Sequence, residues 1–119
     1  MQKLLLMILS CYSAAVFAEV RCAPKSDDYR CYQQHQRRLA AKLVQAGKEL
    51  ERLDKPTANR FYIAQKDWQS FVEANCLYES ETAKNISKAR HYRAQQKCVA
   101  QMYDERFKEV NKMVQWLKR

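Results

Sequence analysis

Residues 32–53, YQQHQRRLAAKLVQAGKELERL, set apolar side chains at Tyr32, Leu39, Leu43, Ala46, Leu50 and Leu53. Steps of seven, four, three, four and three residues draw a single line along a helix, so one face of this stretch is built to be covered. The pattern predicts a helix from about Asp27 to Leu53. Ser26 is the expected N-cap, with Asp27 and Asp28 set against the positive end of the helix dipole. Asp54-Lys55-Pro56 ends it, because the residue before a proline is biased away from helical backbone.

Further along the chain the same period returns twice. Thr57 can cap a second helix carrying Phe61, Ala64, Trp68, Phe71 and Val72 and running to about Glu79. A third stripe holds Val99, Met102, Tyr103, Phe107, Val110, Val114 and Leu117. No run alternates with period two for long enough to suggest a sheet. The expected fold class is all-α, a three-helix antiparallel array or small bundle. Composition agrees: the 119 residues include one Gly and two Pro, which excludes Gly-rich phosphate loops and dinucleotide-binding fingerprints. The length allows one domain, expected over residues 19–119.

The first 18 residues read as a secretory signal peptide: Lys3, the apolar stretch Leu4 to Leu9, and a small-residue cleavage site at Val16-Phe17-Ala18. An alternative reads Ile8-Leu9-Ser10-Cys11 as a lipidation box. Either route takes Cys11 out of pairing. Cleavage after Ala18 removes Lys3 and changes the net charge from +9 to +8. The mature chain is expected in the periplasm or outside the cell.

Four cysteines, Cys22, Cys31, Cys76 and Cys98, then remain in an oxidising compartment and permit three connectivities. The reading favours Cys22 with Cys31 and Cys76 with Cys98. If helices two and three run antiparallel through the second bridge, Trp68 lies opposite Arg106, Phe71 opposite Tyr103 and Val72 opposite Met102. Ala64 then faces Val110, and Phe61 faces Met113. Apolar meets apolar at nearly every level, and at the Trp68 level a guanidinium can lie over the indole. In that register residues 81–93 form an excursion beyond the paired region. It is basic, with Lys84, Lys88, Arg90 and Arg93, and Lys97 just inside the helix. These five are the expected contacts to a partner.

Ala64-Gln65-Lys66-Asp67-Trp68, then Phe71 and Cys76, followed by Cys98 and Arg106, resembles the LprI-type lysozyme inhibitor family. That family's pattern is A-Q-x-x-W, an aromatic three residues on and a cysteine eight after the tryptophan. A distant cysteine follows, with an arginine eight after it. The likeness spans roughly Cys31 to Val110. It implies an exported, mostly helical, disulfide-bonded protein that inhibits lysozyme, with Gln65, Trp68, Phe71 and Arg106 as scaffold residues.

Other chemistries find little support. A glycosidase needs two carboxylates facing each other across a cleft, and nothing marks such a pair; Asp67 and Glu73 sit six apart on one helix. His35 and His91 have no metal-helix spacing, and Cys31 with His35 falls short of a zinc set once the thiols are oxidised. Tyr62, Trp68 and Trp116 fit core positions better than a ligand platform. No enzyme activity, cofactor or metal is expected. A pI near 9.5 suggests nucleic acid, but export argues against it. Two readings stand: a protein that binds and inhibits a peptidoglycan-degrading enzyme, as an inhibitor or immunity protein, or a binding module for anionic envelope material such as lipopolysaccharide, phospholipid or wall polymer. Against a basic lysozyme, Glu49, Glu51, Asp54, Glu79 and Glu81 are the residues available for a complementary patch.

Overall fold

A computed structural model describes Cys22 and residues 29–119. The expected signal peptide, Cys11 and the expected Ser26 cap lie outside the described residues. Three helices follow one another: α1 (Arg30–Leu53), α2 (Lys55–Ser80) and α3 (Lys88–Leu117), with a 3₁₀ turn at Glu81–Ala83 before α3. Among the described residues there is no strand, and no helix is long and apolar enough to cross a membrane.

A single extended residue, Asp54, separates α1 from α2. Its backbone N–H donates to the Leu50 carbonyl at 2.7 Å and so closes α1. Its carboxylate accepts from the Thr57 backbone N–H at 3.3 Å and from the Thr57 hydroxyl, and so opens α2. The cap is therefore Asp54 and not Thr57, and Pro56 sits in the first turn, where its missing N–H costs nothing. Asp54→Ala removes the acceptor that satisfies the start of α2. It is expected to lower stability by about 1 kcal/mol, read as a lower urea midpoint with unchanged slope.

Cross-helix contacts fix the directions. Tyr92 packs edge-on to Tyr29 at 4.5 Å, the Lys42 ammonium lies 5.3 Å from the Phe107 ring centre, and Lys118 Nζ reaches Glu49 Oε1 at 3.4 Å. Residue numbers rise together, so α1 and α3 run parallel. Between α2 and α3 they run oppositely: Ser80 meets His91, Cys76 is bonded to Cys98, and Gln65 accepts from Arg106. The bundle is up, down, up.

Two apolar clusters form the core. At the Asp54 end, Leu43, Ala46, Leu50, Ala58, Val110 and Val114 are buried together, with Phe61, Phe107 and Leu117 around them. At the other end Val72, Cys76, Cys98 and Val99 are buried, flanked by Trp68 and Met102. Tyr103 touches both clusters. Close to the hinge, α1 and α2 approach tightly: a Cβ on Gly47 would lie 3.0 Å from Tyr62 ring atoms, and the Tyr62 hydroxyl donates to Glu51 at 2.5 Å. Gly47 thus serves close approach, with no bend in the helix. That hydrogen bond to a carboxylate holds the Tyr62 hydroxyl above its ordinary pKa. Toward the disulfide end the two helices part, and a cleft opens over α3.

Candidate partner-binding surface

Arg106 is the strut between α2 and α3. Its Nε donates to Gln65 Oε1 at 3.0 Å, and its guanidinium carbon lies 5.7 Å from the Trp68 ring centre and 5.9 Å from that of Phe61. One planar cation thereby spans two aromatic faces and a carboxamide, each contact worth roughly 0.5–2 kcal/mol depending on how dry it is. Trp68 in turn presents its ring to Tyr103 edge-to-face at 4.9 Å. Gln65, Trp68 and Arg106 therefore act inside the molecule.

Phe71 does not join them. It is 56% exposed, and Tyr103 pairs with Trp68 in its place. The inner face of α2 is set by Trp68, Val72 and Cys76, spaced by four; Phe71 lies about 100° around from Val72 and points outward. At the lower levels Ala64, Phe61, Val110 and Met113 line a groove together, with Ala64 and Met113 largely in water.

Both disulfides take the expected pairing, Cys22 with Cys31 and Cys76 with Cys98. His35 lies close enough to the first pair for its nitrogen and the two sulfurs to fall within 4.8 Å of one another, but the thiols are already consumed in the bond. Partial burial, then the neighbouring Arg38, hold the His35 imidazole below its ordinary pKa, and its Nδ1 accepts from Arg38. His91 is occupied too. The buried Ser80 hydroxyl donates to the Leu77 carbonyl at 3.0 Å, which leaves His91 Nε2 as the donor to Ser80 Oγ at 3.1 Å.

The basic excursion is shorter than the register predicted. Ser87 caps α3 by accepting from the Arg90 backbone N–H at 3.0 Å, so the helix begins at Lys88 and only residues 81–87 connect it to α2. Tyr29, just before α1, and Tyr32 within it cover the next turn. Arg93 is half-buried over the Tyr32 ring at 5.1 Å and donates to its hydroxyl at 3.4 Å, and Lys84 pairs with Glu81 at 3.8 Å. Lys88, Arg90 and Lys97 remain exposed. The five cations therefore divide between structural and solvent-facing positions and do not form one projecting tip.

A different surface stands out. On the outside of α2, Ile63 is 70% exposed, Phe71 56% and Tyr78 78%, with Leu77 beside them and Ile86 in the connection that follows. Solvent-facing apolar side chains collected on one helix face mark an interaction surface. The stretch that carries it is acidic within a basic chain: from Phe61 to Ala83 Lys66 stands against Asp67, Glu73, Glu79 and Glu81, a net −3 in a +9 protein, with Asp67 beside the apolar side chains, Glu73 on the cleft over α3 and Glu79 against Cys98. Periodicity alone missed this face, although Ile63, Ala74 and Tyr78 lie off the inner stripe and repeat at helical spacing.

Three helices closed by two disulfides, with an apolar helix face left in water, make a small helical domain. The family model described as lysozyme inhibitor LprI matches residues 22–110, and the chain belongs to that family. No curated protein and no solved structure matches it.

Proposed function

We propose that the protein is exported and inhibits a lysozyme or related wall hydrolase by binding it, with the outer face of α2 as the contact. The observation that carries this reading is the exposed apolar face of α2, set in an acidic stretch of an otherwise basic chain of a lysozyme-inhibitor family. A basic enzyme is repelled by the molecule as a whole and least along the acidic stretch from Phe61 to Ala83, so the charge pattern favours docking there. Two disulfides fit an oxidising compartment, and the signal-like residues 1–18 supply the route there. Inhibition requires only occlusion of the enzyme, and no group on this chain has to react.

The second reading, a module for anionic envelope material, draws on the exposed Lys88, Arg90 and Lys97. Salt separates the two. Neutralisation of phosphate weakens steeply as ionic strength rises, whereas a packed apolar interface weakens less. The test is to mix the mature protein with lysozymes of several classes, follow wall hydrolysis and capture bound enzyme, at low and high salt. Saturable inhibition that persists at high salt is expected. Neither slowing nor capture of any of them overturns the inhibitor reading.

A further inference from the structure

The cleft between α1 and α2 has an unusual lining. Gln33 and Gln36 from α1, Gln69 from α2, and Gln95 and Gln96 from α3 all face one space of about 530 Å³. That volume lies within the ~300–1,000 Å³ of small-molecule sites. Its floor is Val72, Val99 and Tyr103, the last braced edge-on by Trp68.

The carboxamides are available. Among the described residues Gln36, Gln69, Gln95 and Gln96 make no side-chain hydrogen bond, and Gln33 spends only its N–H, on the Tyr92 hydroxyl at 3.3 Å. Each carboxamide offers donors and an acceptor without charge. The only charged residues on the walls are Arg37 and Glu73, one of each sign. The chain as a whole is densely charged, with 22 Lys and Arg and 13 Asp and Glu side chains. A neutral, bifunctional lining over a small apolar floor therefore does not suit a polyanion or a cation.

We infer that this cleft binds a neutral, N-acetylated amino-sugar chain. Sugar hydroxyls both donate and accept, as carboxamides do, and an acetamido group presents an N–H and a carbonyl that complement a carboxamide directly. The C–H face of a pyranose ring matches Val72, Val99 and the Tyr103 ring. An extended peptide fits less well, because strand addition needs an open sheet edge and a docked helix needs an apolar groove; the cleft has neither. This site is separate from the outer face of α2 and does not depend on the inhibitor reading.

The probe is the N-acetylglucosamine trimer, titrated into ¹⁵N-labelled mature protein, with the cellulose trimer as a control that keeps the rings and lacks the acetamido groups. Expected are saturable shifts of the side-chain NH₂ signals of Gln36, Gln69, Gln95 and Gln96, and little response to the control. Gln69→Leu with Gln96→Leu keeps helix propensity and comparable side-chain bulk while removing the carboxamides; affinity should fall at least about tenfold while the melting temperature holds. Absence of shifts at millimolar trimer, equal response to the cellulose trimer, shifts confined to the outer face of α2, or undiminished affinity in the double variant each overturn the proposal. No enzyme is present, so failure here leaves the inhibitor reading standing, and failure of inhibition leaves this one.

Discussion

Replacing Cys76 and Cys98 together by alanine is expected to destabilise the protein by about 3 kcal/mol, the largest loss from any pair of substitutions considered. The bridge closes 22 residues of sequence, and loop-closure entropy for a link of that length gives roughly 3 kcal/mol. Packing adds to it. Both sulfurs are buried in the smaller core cluster, whose other buried members are only Val72 and Val99, so the bridge supplies about half of that cluster. The cluster at the hinge end holds six buried residues and contains no bridge. The double variant should therefore loosen unevenly. Amides around Val72 and Val99 should lose hydrogen-exchange protection before those around Leu50 and Val110. Urea denaturation measures the total. A loss below about 1 kcal/mol would mean that Trp68, Tyr103 and Arg106 hold α2 on α3 without the covalent link.

Sequence periodicity made α1 and α3 legible because each has one continuous apolar face. Tyr32, Leu39, Leu43, Ala46 and Leu50 are all buried, and Val110 and Val114 pack with Leu43, Ala46 and Leu50. The bridge at Cys76 and Cys98 follows from an even cysteine count and an antiparallel register, and the level of Trp68 and Arg106 follows from that register. Helix α2 was harder to read. It has apolar residues on two sides, and Phe71 and Val72, being adjacent, cannot both point inward; periodicity does not say which one does. The start of α3 is hidden from the sequence for another reason. Pairing continues past the bridge because Ser80 meets His91 and because Tyr29 and Tyr32 stand at the start of a different helix, and no local pattern in residues 81–93 announces partners near residue 30. The cleft was not legible at all. Its glutamines come from three helices, and only the divergence of α1 from α2 brings them together.

Removing Phe71 and Tyr78 as Phe71→Ala with Tyr78→Ala is expected to weaken inhibition at least 30-fold without lowering the unfolding midpoint. Aromatic anchors at the centre of an interface commonly cost ~2 kcal/mol or more on truncation, and about 1.4 kcal/mol is a tenfold change in affinity. Stability should hold, because both side chains are mostly in water and belong to neither core cluster. Charge gives the complementary arm. Asp67→Lys reverses the charge beside Ile63 and Phe71, so association with a basic enzyme should slow, most clearly at low salt. Reversing Lys88, Arg90 and Lys97 to glutamate should leave inhibition intact or speed association, because it lowers the overall repulsion between two basic proteins. The opposite pattern, with inhibition lost in the triple reversal and kept in the α2 variants, would move the contact to the start of α3. If instead the α2 variants change only the sedimentation of the protein by itself, the apolar face joins two copies of this chain and the enzyme must be met elsewhere.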